Sequence, residues 1–519
     1  MSVPEVAFES VEPFAFFDYF RVPYRIRQQA APATLDDPVL ARLWPVPDST
    51  TSLYWYRALP DGGARRRPIR FDCAGYRLAG RVLDDDRVRF ALGHRGNGFD
   101  GQWQPRETLR DDAGRAIGSV WRHGKDGSVL LPFDPGEVMA TLWSERYRRA
   151  DRSGIQRLMR GAALSTYYLV RPLMPRRVQL GLRRAFTRLQ RRASFPGWPI
   201  EDGLHGFYDW MFHLLGDLAG RPVPWLAPWP DGASWAMVLT HDVETAAGLC
   251  QRDLLRARER AYGLRSSWNL VAERYVVPDD VVQTLWDEGC EVGVHGLRHD
   301  GRDLGSARFL RQRLPAMHAA AARWAAVGFR APATQRRWEW MPQLGFAYDS
   351  SSTDTDPYEP QPGGCCTVWP FLNDDLVELP ITLPQDHTLF AILSHTDGRL
   401  WCRKVGYLRA RGGMALALTH PDYACDPRVV NAYEELLALV HDDPHVWHAL
   451  PHEVAGWWRR RAATEIRHGP TGWEIVGPAA AEGRIWFGPP AHAMSVSDGV
   501  SDRVRGSTSD LALGEPPVS

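Results

Sequence analysis

The chain has 519 residues, more than one compact core accommodates, so two or three folded units are expected. Its 44% hydrophobic and 24% charged residues are ordinary for a globular protein, and 62 basic against 62 acidic residues leave no net charge pointing to nucleic acid. Seven scattered cysteines without a CxxC pair argue against a disulfide framework or a zinc ribbon; with no apolar run of membrane length and no signal-like N-terminus, the expectation is a cytoplasmic protein.

Residues 1–140 read as a β-rich N-terminal domain, in which the short apolar-aromatic pieces 52–56, 87–92, 118–121 and 128–131 alternate with Asp/Gly turns. No motif there carries legible chemistry. Residues 141–230 read as a basic helical connector. Between 146 and 192 stand 14 arginines against one acid, Asp151, and Val178, Leu182, Phe186 and Leu189 mark one face of a helix over 175–192. The plainer expectation is that its arginines pair with acids elsewhere in this neutral chain; the alternative is peripheral contact with an anionic membrane.

From 231 to 461 strand-like and helix-like segments alternate, with strands expected at 236–240, 266–271, 291–295, 327–330, 345–349, 376–380 and 414–419. Helical patterns at 252–262, 280–288, 307–326 and 431–440 lie between or after them. Alternation of this kind implies parallel strands with covering helices, and seven strands suggest an incomplete or distorted barrel. Beyond it, 473–476 and 484–487 are expected to pair as a terminal hairpin within 462–493, and 494–519 to be disordered.

The chemistry gathers where apolar strands stop. Asp242 and Glu244, two residues apart at the exit of the first strand, point to one side in extended geometry. The third strand runs into His295-Gly-Leu-Arg-His299, and the last into His420-Pro-Asp422-Tyr423. Spacing of four alone is weak evidence, since 17 histidines in 519 residues give roughly 0.6 such pairs by chance, and His441/His445 and His448/His452 share it. Those two pairs have no strand leading into them and read as solvated or packing residues. Position at a strand end is what distinguishes His295/His299, because barrel enzymes build their sites there.

Thr240-His-Asp-Val-Glu-Thr245, His295-Gly-Leu-Arg-His299, Arg330-Ala-Pro332, Tyr348-Asp349-Ser350-Ser351 and Leu418-Thr-His420-Pro421 resemble, in order, the motifs of the polysaccharide deacetylase (NodB-homology, carbohydrate esterase family 4) superfamily over about residues 235–460. The resemblance implies a distorted (β/α)7 barrel and metal-dependent hydrolysis of an N-acetyl group on an amino sugar. It implies His295 and His299 as ligands of one divalent metal, zinc or else nickel or cobalt. A first-motif carboxylate would be the base, Arg330 would orient it, and His420 would protonate the leaving amine. Asn269 and Asp349, also at strand ends, are candidate substrate contacts. The family's first motif usually holds adjacent aspartates, one base and one ligand; here the second of those positions is Val243. Asp242 then fits the base and Glu244 the third ligand, with the reverse assignment open. The implied substrate is an acetylated amino sugar or a lipid-linked glycan precursor. The alternatives are a catalytically inactive glycan-binding or assembly protein, and a metal-independent cyclic amide hydrolase.

Overall fold

The computed structural model of the chain describes residues 8–27, 40–46, 49–57, 67–94, 102–149, the single positions 181, 184, 187 and 190, 195–470, 472–492 and 494–495. The N-terminal part holds a nine-stranded, largely antiparallel sheet. Its strands include Leu53–Tyr56, Ala116–His123 and Val129–Leu131, at positions where alternating apolar residues predict them. The expected strand at 87–92 is instead part of the helix Asp85–His94. The period-2 pattern misleads there: Val88, Ala91 and Leu92 are buried at helical spacing while Phe90 is 46% exposed. Asp84 Oδ1 accepts from Arg87 N–H at 3.0 Å, and Asp85 pins the helix to the neighbouring strand through Trp121 Nε1 at 3.0 Å and Ser119 Oγ at 3.1 Å.

The helix expected over 175–192 lies largely outside the described residues. Gly181, Arg184, Thr187 and Gln190 are described, and all four are helical. Arg184 Nη2 donates to the Ala391 carbonyl at 2.9 Å, and buried Gln190 donates to the Glu359 carbonyl at 3.4 Å. The expected tail also lies outside the described residues beyond 495. No described helix is long and apolar enough to cross a membrane.

The second large sheet curls into a half-barrel. Its parallel strands are β1 (Trp235–Val243), β2 (Ser267–Leu270), β3 (Glu291–Val294), β4 (Gly328–Phe329), β5 (Tyr348–Asp349), β6 (Leu376–Glu378) and β7 (Met414–Thr419). Each of the seven expected strands is present. β1 lies next to β7 at the edge of the sheet; β7 pairs along one side of it, and on the other Val446–His448 pairs with its first half and β2 with its second. Between β6 and β7 the chain at Thr382 and Leu383 spans the opening. Thr382 Oγ1 donates to Met414 O at 2.7 Å and accepts from Leu416 N at 2.8 Å, while Leu383 N donates to Leu416 O at 3.1 Å. Because the seven strands are parallel, their C-terminal ends share one rim.

The C-terminal strands pair differently from expectation. Gly472–Val476 pairs with Glu465–Gly469, and Ile485–Phe487 pairs with Pro224–Leu226. The short connection between Gly469 and Gly472 favours the local partner, which leaves Ile485 free to join a buried cluster with Leu226 and Ile466.

The helix Gly203–Ala219 packs on Tyr76–Gly80 and reaches the half-barrel through His205. His205 is 2% exposed, and its Nε2 accepts from Val368 N–H at 3.0 Å, which requires neutral imidazole. Burial lowers its pKa to about 3. The unfolded chain therefore binds the proton first, and stability is present above pH ~6.5 and lost as pH falls from there toward about 3. His205→Gln keeps an acceptor and does not titrate. The unfolding free energy of the wild type, read from urea titrations, is expected to fall more steeply between pH 7 and 5 than that of this variant, by up to ~1.4 kcal/mol per pH unit; equal slopes would refute the assignment.

Candidate active site

Strand pleating sorts the first motif. Thr240, Asp242 and Glu244 face the inside of the curl, and His241 and Val243 face the covering helices. His241 is fully buried in an outer network, with Nδ1 2.8 Å from Thr419 Oγ1 and Nε2 2.6 Å from Glu259 Oε1. Tyr433, Ser266 and Arg256 also bond Glu259, at 2.6, 2.6 and 2.9 Å. That network braces β1 from behind. On the inner side the two carboxylates separate into different surroundings.

Glu244 joins the histidines. Ligand atoms of Glu244, His295 and His299 lie within 4.8 Å of one another, the only such cluster among the described residues. His295 donates through Nδ1 to the Arg330 carbonyl at 3.0 Å, which leaves Nε2 to face the cluster. Burial lowers the His295 pKa to about 4, so the ring is neutral, as a metal ligand must be. His299 has φ of 53°, a left-handed backbone that turns its ring back to within 5.1 Å of the His295 ring. Its Nε2 lies 3.1 Å from Glu244 Oε1 yet is buried without a hydrogen-bond partner. An orphaned nitrogen beside a carboxylate and a second imidazole is a donor set that fits a divalent cation. Burial pushes the Glu244 carboxyl up, but His299, His420 and His295 outweigh it and hold it well below the usual range. The turn depends on Gly296, whose φ is 69° and where a Cβ would come within 2.4 Å of Asp303 Oδ2.

Asp242 sits one layer deeper, 3% exposed. Its Oδ1 accepts from Asn269 Nδ2 at 2.8 Å and Arg330 Nη1 at 3.1 Å, and Oδ2 lies 3.7 Å from His295 Nε2. Arg330 is itself fixed by Thr240 Oγ1, Ser350 O and Ser350 Oγ, each at 2.7 Å. Burial raises the Asp242 carboxyl, but His295, Arg330 and His420 prevail and lower it, so it stays ionised. Opposite stands His420, with Nε2 3.9 Å from Glu244 Oε1. Asp386 accepts from His420 Nδ1 at 2.6 Å and from its backbone N–H at 2.8 Å. Burial alone would lower His420, but the Asp386 carboxylate overrides it and raises the pKa to about 10. One side therefore holds a carboxylate able to take a proton, the other an imidazolium able to give one.

The geometry thus brings together Asp242, Glu244, His295, His299, Arg330 and His420. Asn269 and Asp349, the two candidate substrate contacts, are both buried, at 3% and 0% exposed. Asn269 is bonded to Asp242, and Asp349 is fully buried with its two oxygens bonded to Ser351 N at 2.8 Å and Oγ at 2.7 Å. The other histidine pairs lie elsewhere: His441 bonds Tyr262 O at 3.1 Å, His448 bonds Arg265 O at 2.9 Å and His452 bonds Glu291 at 3.1 Å. Asp386 escaped the sequence reading because it lies eight residues beyond Glu378, the last residue of β6, and faces a histidine 34 residues away. The carboxylate two residues after Pro384, in the segment between β6 and β7, was the available signal.

No family model matches the chain, and no curated protein matches it. Among solved structures it is similar to a Mycobacterium smegmatis protein assigned as a polysaccharide deacetylase, at 22% identity over 45% of this chain and 93% of that one, with a TM-score of 0.36. It is similar to Puue Allantoinase at 15% identity over 44% of this chain and 92% of that one, TM-score 0.35. A family 4 carbohydrate esterase from Streptomyces lividans, in complex with acetate, matches at 12% identity over 42% and 93%, TM-score 0.29.

Proposed function

We propose that the chain is a metal-dependent hydrolase that removes an N-linked acyl group, acetyl foremost, from an amino sugar, on a distorted (β/α)7 barrel. The observation that carries this reading is the convergence of Glu244, His295 and His299 between the Asp242–Arg330 and Asp386–His420 pairs. Glu244 is the third ligand and Asp242 the base, because Glu244 lies within reach of both imidazoles while Asp242 is committed to Arg330 and Asn269.

A divalent ion held by Glu244, His295 and His299, zinc or else nickel or cobalt, would polarise the acyl carbonyl and make a water more acidic. The chain's own residues handle the protons. Asp242 takes one from the water whose oxygen adds to the acyl carbon, and Arg330 keeps that carboxylate ionised and aimed. As the C–N bond breaks, His420 gives its Nε2 proton to the departing nitrogen, leaving a carboxylic acid and a free amine. Asp386 holds the imidazole by Nδ1 so that Nε2 is the donating atom. A soluble or lipid-linked precursor inside the cell remains the substrate class within this reading.

The test is acetate release from a panel of N-acetylated amino sugars by the full chain, as purified, after chelation and after zinc is restored. Activity lost on chelation and regained with zinc is the expected result. No release from any acetylated sugar by metal-loaded protein would sink the proposal; opening of cyclic amides in the presence of chelator would replace it with the metal-independent alternative.

A further inference from the structure

The turn that follows His420 does more than end β7. Asp422, in the short helical turn Pro421–Tyr423, reaches back across the rim to the segment carrying Glu244. Its Oδ2 accepts from the Glu244 backbone N–H at 3.2 Å, and its Oδ1 accepts a short hydrogen bond from Thr245 Oγ1. Thr245 Oγ1 in turn accepts from Gly248 N–H at 3.1 Å and caps the helix Ala246–Ala261. The contact is close enough to require glycine: a Cβ at Gly248 would stand 2.2 Å from Asp422 Oδ2. On the other flank Tyr275 OH donates to the Val243 carbonyl at 2.6 Å. The residues around Glu244 are thus held from both sides, and one of the two holds comes from the segment that supplies His420.

We infer that Asp422 is a positioning residue that locks the Glu244 turn to the His420 turn and so sets the distance between the metal-binding carboxylate and the proton donor. The physical reason is economy of linkage. Glu244 and His420 directly follow neighbouring strands, β1 and β7, whose ladder ends at His241 and Thr419. Beyond that point no backbone pairing fixes one exit against the other, and Asp422 replaces the missing rungs with two bonds to its carboxylate. An asparagine there has one acceptor oxygen and no charge: it can keep the Glu244 N–H contact, but it meets Thr245 Oγ1 only if that hydroxyl turns from donor to acceptor, and the charge-assisted bond is lost. The inference rests on the proposed metal role of Glu244, but the lock itself can be read without metal.

The experiment compares full-length wild type, Asp422→Ala, Asp422→Asn and Gly248→Ala, each metal-free and titrated with cobalt(II). Hydrogen exchange is followed by mass spectrometry over 243–249 and, as reference, 267–270. In the variants, exchange at 244–248 is expected to speed up about tenfold or more with the reference unchanged. Cobalt affinity is expected to fall about tenfold or more with altered absorption bands. Gly248→Ala displaces the Asp422 carboxylate without removing it, so it should share both effects, and Asp422→Asn should be intermediate. Unchanged exchange at 244–248 overturns the inference whatever cobalt does, as does acceleration spread equally over the reference strand. A wild type that binds no cobalt while the variants exchange faster locally removes the hydrolase reading and leaves the lock standing.

Discussion

Replacement of either His295 or His299 by alanine is expected to take bound divalent metal from about one per chain to background. The three-residue donor set leaves no spare ligand: Asp242 is held by Arg330 and Asn269, and His420 by Asp386. Two ligands on a partly open rim hold a cation far more weakly than three. Metal that binds only the folded state at 1,000 times its Kd stabilises by about 4 kcal/mol, so zinc should raise the melting temperature of the wild type and of neither variant. His441→Ala and His448→Ala are the controls. They have the same residue type and spacing but hydrogen bonds to backbone carbonyls, and they should keep both metal and the zinc response. Elemental mass spectrometry beside melting curves reads all four. Wild-type stoichiometry in His299→Ala would remove Glu244, His295 and His299 as the site.

Asp386→Asn is the second large effect, a loss of about 10³ in kcat with metal content retained. His420 is buried, and burial alone would drive its imidazole neutral; the Asp386 carboxylate at 2.6 Å overrides that and lifts its pKa to about 10. The sign follows. The wild-type donor keeps its proton through the neutral range, and activity should decline only as pH rises toward 10. Without the carboxylate, desolvation prevails and the alkaline limb moves to lower pH. Stability moves with it: a folded pKa raised from 6.5 to about 10 contributes below pH ~6.5 and is lost as pH rises through 10. The kcat–pH profile decides the matter, and a variant with an unshifted alkaline limb would show that Asp386 does not set the charge of His420.

Much of this was open to a reader of the sequence. Each of the seven strands of the half-barrel follows from a short apolar run, and the exit of β1 at Asp242 and Glu244 from the same run stopping at charge. The His295/His299 pair stood apart from its decoys by its strand, not its spacing. What the sequence misread were features that depend on a partner. The segment 87–92 alternates like a strand but folds as helix because Asp85 has Trp121 and Ser119 to hold. The pieces 473–476 and 484–487 are real strands that pair with Glu465–Gly469 and Pro224–Leu226 rather than with each other.

The sequence by itself determined which residues emerge at the rim, because strand pleating and apolar periodicity act over a few neighbours. Only the tertiary structure decided what each emerging group does. Asp242 and Glu244 are both carboxylates on one face of one strand, and they become different because Arg330, 88 residues from Asp242, reaches one while His299 reaches the other. His420 acquires its charge from Asp386 and Glu244 its anchorage from Asp422, 178 residues away. Electrostatic surroundings are a property of what the fold places within a few ångströms, and sequence distance carries no measure of that.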